Sequence, residues 1–132
     1  MPITYRIDTE KAIIRTQNIG DVTLGEVSSF FQDLARDPDC PDRVSVLFDL
    51  TKQTWVPRSD DLRMATCKVS NIRGRVQFEA CALVACTDVL FGMSRMFQVF
   101  AEDSFREVGV FRSIADAEEW LANRDSFREH DP

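Results

Sequence analysis

The chain has 132 residues, 44% of them hydrophobic and 29% charged, with a formal net charge of −6. That is the length of one domain with one core and the balance of a globular chain, too apolar for disorder. With no apolar run long enough for a bilayer, no export signal in Met1-Pro2-Ile3-Thr4-Tyr5 and an acidic balance that suits nucleic acid poorly, the expectation is a cytoplasmic protein without stable membrane insertion.

Residues 5–7 and 12–19 are β-prone, and the polar Asp8-Thr9-Glu10-Lys11 between them predicts an opening hairpin. After Gly20-Asp21, the apolar residues Leu24, Val27, Phe31 and Leu34 recur at helical spacing, with Thr23 as N-cap and a stop at Asp37-Pro38. The acidic loop that follows lacks the central Gly and terminal Glu of a calcium loop and reads as turn chemistry. Residues 44–49 form a buried strand ending in a carboxylate, and Thr54-Trp55-Val56-Pro57 leads to a second helix with Leu62, Ala65, Val69 and Ile72 on one face and Gly74 after it. Residues 78–86 are apolar on both parities, which predicts a strand covered on both faces at the centre of the sheet. Thr87-Asp88 caps a third helix running to about Ala101, residues 105–111 make a last strand, and Ser113 with Asp116 has capping-box spacing before a fourth helix that turns Ala117, Trp120 and Leu121 inward. The order ββαβαβαβα predicts an α/β fold: a mixed sheet of about five strands with four helices packed on it. Residues 1–123 are expected to form the domain and residues 124–132 a frayed polar tail.

Catalytic and metal chemistry find little support. Cys40, Cys67, Cys81 and Cys86 have no C-x-x-C spacing and read as small buried hydrophobes in a reducing compartment. The sole histidine, His130, falls in the expected tail, so no Ser-His or Cys-His pair arises. Gly92-Met93-Ser94-Arg95-Met96 lacks the second glycine of a nucleophile elbow, and no glycine-rich phosphate loop exists. No cofactor and no catalytic or metal residue is assigned, and an enzyme is expected only if Asp49, Asp60 or Asp61 converge in a cleft.

Charge is uneven along the chain. Residues 51–75 carry six basic and two acidic side chains, whereas the flanking segments are acidic. Arg58, Arg63 and Lys68, with Lys52, Arg73 and Arg75, are therefore candidates for a basic face, either docking an acidic partner or simply solvated. On the third helix, Val89, Leu90, Phe91, Met93, Met96, Phe97, Val99 and Phe100 exceed one core-facing stripe. Their cover is the rest of the domain, a second subunit or an apolar ligand. Leu90, Met93, Arg95, Met96, Phe97 and Phe100 are thus the candidate partner or ligand surface, with Arg95 as a possible anchor for an anionic head group.

Gly92-Met93-Ser94-Arg95-Met96-Phe97 and the run from Val110-Phe111-Arg112-Ser113 to Ala117-Glu118-Glu119-Trp120-Leu121 resemble the SpoIIAA-like group of bacterial proteins. That group is related to STAS domains and similar in fold to CRAL-TRIO lipid-binding domains. The resemblance implies a regulatory or protein-binding module, with an apolar-ligand carrier as the alternative. In switch-type STAS domains a serine is phosphorylated near a helix N-terminus, and Arg58-Ser59-Asp60-Asp61-Leu62 occupies the matching stretch. It lacks the glycine of that pattern, and its two aspartates repel phosphate. Ser59 reads from the residues as a helix N-cap and from the resemblance as a regulatory candidate. The leading expectation is a non-catalytic, homodimeric interaction module; the others are a carrier of an apolar small molecule and a regulator switched at Ser59.

Overall fold

The computed structural model describes residues 3–72 and 74–129. Its elements run β1 (Ile3–Asp8), β2 (Ile13–Gly20), α1 (Leu24–Arg36), β3 (Arg43–Gln53), α2 (Ser59–Asn71), β4 (Gln77–Val84), α3 (Asp88–Phe100), β5 (Glu107–Phe111) and α4 (Ile114–Glu129). The α/β fold, the five-stranded mixed sheet and the four helices are those expected from the sequence. The last strand starts later than expected: Phe105 lies in the preceding turn, buried against Phe78 and Phe97. Residues 124–129, expected as tail, continue α4, while His130 lies outside the described residues.

Local chemistry explains the joints. The Asp8 carboxylate accepts the Lys11 N–H at 3.1 Å, and Ala12 takes a positive φ of 54°, which turns β1 back onto β2. Thr23 Oγ1 accepts the Glu26 N–H, Thr87 Oγ1 the Leu90 N–H and Ser113 Oγ the Asp116 N–H, so three of the four hydroxyl caps expected from the sequence form. At α2 the cap differs. Arg58 is the N-cap residue, its N–H held by Asp61 Oδ2 at 2.9 Å, and Ser59 is the first helical residue. The helix thus starts one residue earlier than a Ser59 cap would have it, and the carboxylate reaching back from the first turn takes the N–H of the N-cap residue rather than one inside the helix.

The strands lie in the order β1-β2-β3-β4-β5, antiparallel for the first pair and parallel thereafter. The central strand is therefore β3, not the residues 78–86 expected there. β4 is buried on both faces because α4 covers the second face over β3, β4 and β5, so complete burial marks where the helices lie rather than the middle of the sheet. One core, beneath α1, α2 and α3, contains Ile14, Phe31, Leu34, Val46, Val69, Cys81 and Phe97. The smaller one, beneath α4, gathers Ile13, Leu47, Ala80, Ala82, Val84, Ala117 and Leu121, with Phe111 and Trp120 at its margin.

Two register shifts break the period of two. Between Val44 and Val46 of β3, β4 advances from Phe78 to Cys81, so both of these face the larger core, and Glu79 is left buried in the bulge, paired with Arg43 at 3.1 Å. Between Gln17 and Ile19 of β2, the extra residue lies in β3, which advances from Asp49 to Lys52. There Asp49 Oδ1 accepts both the Thr51 N–H at 3.0 Å and the Thr51 hydroxyl at 2.6 Å, closing a turn inside the strand.

Candidate functional site

That second bulge shapes a pocket. It opens where β2, β3 and β4 end, between the sheet and the first turns of the helices, and has a volume of about 100 Å³. Phe48, Leu50 and Leu83 form its floor, Leu24, Val27 and Phe31 of α1 one wall, and Leu62 and Ala65 of α2 with Leu90, Met93 and Phe97 of α3 the other. Trp55 and Pro57, on the loop from β3 to α2, complete the rim. Because the strand order never reverses, the sheet has no crevice of the doubly wound kind, and the opening lies under the helices instead.

Four polar residues, Asn18, Gln53, Asp61 and Ser94, interrupt the apolar wall. By strict alternation from Phe48, which packs in the larger core, Gln53 would face the α4 side; the extra residue at the bulge reverses the parity and brings it into the pocket. There Gln53 Oε1 accepts from Asn18 Nδ2 at 2.8 Å, and Gln53 Nε2 donates to the Trp55 carbonyl at 2.9 Å. Asn18 is 6% exposed, and among the described residues no donor meets its Oδ1. An unmet buried acceptor costs about 1–3 kcal/mol, so it marks a departure from a purely structural core.

The residues singled out in the sequence divide. Leu90, Met93 and Phe97 line the pocket, with Leu90 and Phe97 buried. Met96 and Phe100 pack half-buried at the edge of the larger core, and the Arg63 guanidinium sits 4.9 Å from the Phe100 ring centre. Arg95 is exposed and outside the pocket lining, so it does not anchor a head group in this pocket. The surplus apolar surface of α3 is thereby largely absorbed by its own domain, leaving Val89 and Val99 more than half exposed.

The basic residues do not gather as their sequence clustering implied. Arg58, Arg63 and Lys68 follow one another at five-residue steps, about 140° of turn each, and so point in three directions around α2. Arg75 is committed to the carbonyls of Asp37 and Cys40, both at 3.1 Å, and Arg73 lies outside the described residues. Ser59 is exposed beside the exposed Asp60. The carboxylates do not converge either: Asp49 lies in a polar groove with Arg15 and Glu118 on the α4 side of the sheet, opposite the face that holds Asp61.

Two cysteines depart from the expectation of burial. Cys40 and Cys81 are buried, and burial pushes both thiols up, whereas Cys67 and Cys86 are exposed. Cys86 escapes because β4 ends at Val84, before reaching it. Among the described residues no cluster of His, Cys, Asp or Glu has metal-holding geometry, and no helix is long and apolar enough to cross a membrane.

The sequence reading missed Asn18, Gln53 and Trp55. One signal was present: Thr16 and Asn18 continue the inward parity of Ile14 in β2, where an apolar residue is the rule. No protein-family model matches the chain, and no curated protein does.

Proposed function

We propose that this chain is a non-catalytic binding domain that holds a small apolar molecule in the pocket at the strand ends. The observation that supports it is the pocket itself, an opening of about 100 Å³ walled by apolar side chains from all three helices of one face. This is less than the about 150 Å³ of a dry cavity that accepts benzene, so the enclosed part of an occupant is at most one ring or a short chain, with the remainder at the open mouth. Met93, a flexible side chain on the wall, gives some room for adjustment. A full lipid tail, of the kind a CRAL-TRIO-like carrier would hold, does not fit inside it.

The interaction-module reading, homodimeric or with another protein, keeps less support. It depended on spare apolar surface along α3, and Leu90 and Phe97 are used within the chain. The exposed Val89 and Val99 are what favours it. Regulation at Ser59 is supported by that residue's exposure and opposed by the flanking Asp60 and Asp61. The cytoplasmic, SpoIIAA-like setting remains part of the proposal.

Native mass spectrometry of gently purified protein tests the reading together with Ala65→Phe, a substitution that fills the pocket from α2. The native chain is expected to carry a small neutral adduct, or to take up added toluene, and the variant to do neither while keeping its fold by circular dichroism. Equal uptake of toluene by both, or uptake by neither, overturns the reading.

A further inference from the structure

The hydrogen bonds of β2 decide which backbone groups of β1 are free. The Ser45 N–H donates to the Ala12 carbonyl at 2.9 Å and the Thr54 N–H to the Gly20 carbonyl at 2.8 Å, so even-numbered residues of β2 turn their backbone groups toward β3. The odd-numbered Ile13, Arg15 and Gln17 therefore bond to β1, where their partners are Asp8, Arg6 and Thr4. Ile3, Tyr5 and Ile7 are left with N–H and C=O pointing out of the sheet, and no described residue hydrogen-bonds to those groups. The opposite edge is partly closed, because Gln98 Nε2 takes the outward Val108 carbonyl of β5 at 2.6 Å. β1 has few of the usual protections of an edge: its pairing with β2 runs without a bulge, no proline interrupts Ile3–Asp8, and Arg6 is its one exposed charge.

We infer that this edge pairs with a second copy of itself, antiparallel, about a two-fold axis at Tyr5. Of the registers that join outward groups to outward groups, only this one uses all three outward residues within both strands. Centred on Arg6 instead, the pair would set two like charges opposite one another; centred on Thr4, it would carry Ile7 past the end of the partner strand. At Tyr5 the pattern is self-complementary. Ile3 meets the partner's Ile7 on the α1 side, Tyr5 meets its own copy, and Thr4 meets the partner's Arg6 on the other face. That match is what selects a second copy over a foreign strand. No β1 residue lines the pocket at the strand ends, so dimer and ligand do not compete.

Sedimentation equilibrium on the whole chain tests the pairing. The native protein is expected to form dimers as its concentration rises. Ile7→Pro removes an outward N–H without costing a bond to β2, and is expected to stay monomeric with a native circular dichroism spectrum. Thr4 is exposed, so its charge variants leave the fold alone. Thr4→Glu, opposite the partner's Arg6, is expected to tighten the dimer about fivefold, and Thr4→Lys to loosen it about as much. The chain's net charge of −6 acting alone would give the opposite signs. A native chain still monomeric at about 1 mM overturns the inference, as does a dimer equally stable in folded Ile7→Pro. Should Ile7→Pro not fold, the Thr4 variants decide: equal association in both, or signs reversed, contradicts the pairing.

Discussion

Tyr5 is the one tyrosine in the chain, which makes a single hydrogen bond directly observable. Its hydroxyl donates to Asp37 Oδ2 at 2.8 Å and ties β1 to the residue that caps the end of α1. Burial first, and then the Asp37 carboxylate, push its ionisation from 10.0 up to about 12. The folded chain thus holds this proton after the unfolded chain has lost it. Stability from Tyr5 is complete below pH 10 and is lost as pH rises through about 12. Absorbance of the phenolate should titrate near 12 in native protein and lower in Asp37→Asn, though not all the way to 10.0, because burial remains. A native midpoint at the ordinary tyrosine value would contradict the contact. None of this was legible in the sequence: Tyr5 and Asp37 are 32 residues apart, and only the packing of α1 over the hairpin brings them together.

At the scale of elements, the helices were easier to read than the strands. Thr23, Thr87 and Ser113 announce helix starts because a cap is a local hydrogen bond, settled within three residues. Ser59 misled because the helix starts one residue earlier, with the N–H of Arg58 held by Asp61. The bulges were invisible for a different reason. An extra residue is defined only against the partner strand, so Gln53 reads as facing the α4 side until the pairing of β2 with β3 is known. Asp49, read as a strand-terminal carboxylate with a remote claim to catalysis, holds that bulge through Thr51. Asp49→Ala should lower stability by about 1 kcal/mol in urea denaturation and weaken toluene binding in the pocket, while Asp49→Asn, whose Oδ1 accepts the same two bonds, should do neither. Loss of binding in both variants, or in neither, would show that the bulge does not set the pocket.

For the whole molecule, the order of elements predicted the architecture because alternating strands and helices leave few ways to cover a sheet. The position of β4 within it could not be read, since a strand buried on both faces looks the same wherever the covering helices lie. The excess of apolar residues on α3 was legible and its destination was not: Leu90, Met93 and Phe97 turn inward to the pocket, while Val89 and Val99 stay outside. The same helix thus offers an inner and an outer surface, and they assign the chain different work. Backbone amide NMR during titration with toluene distinguishes them. Shifts centred on Leu50, Gln53, Ala65, Leu90 and Ser94 around the pocket are the predicted result; shifts confined to Val89, Arg95 and Val99 on the outer side of α3, or no saturable shifts at all, would contradict a binding site at the strand ends.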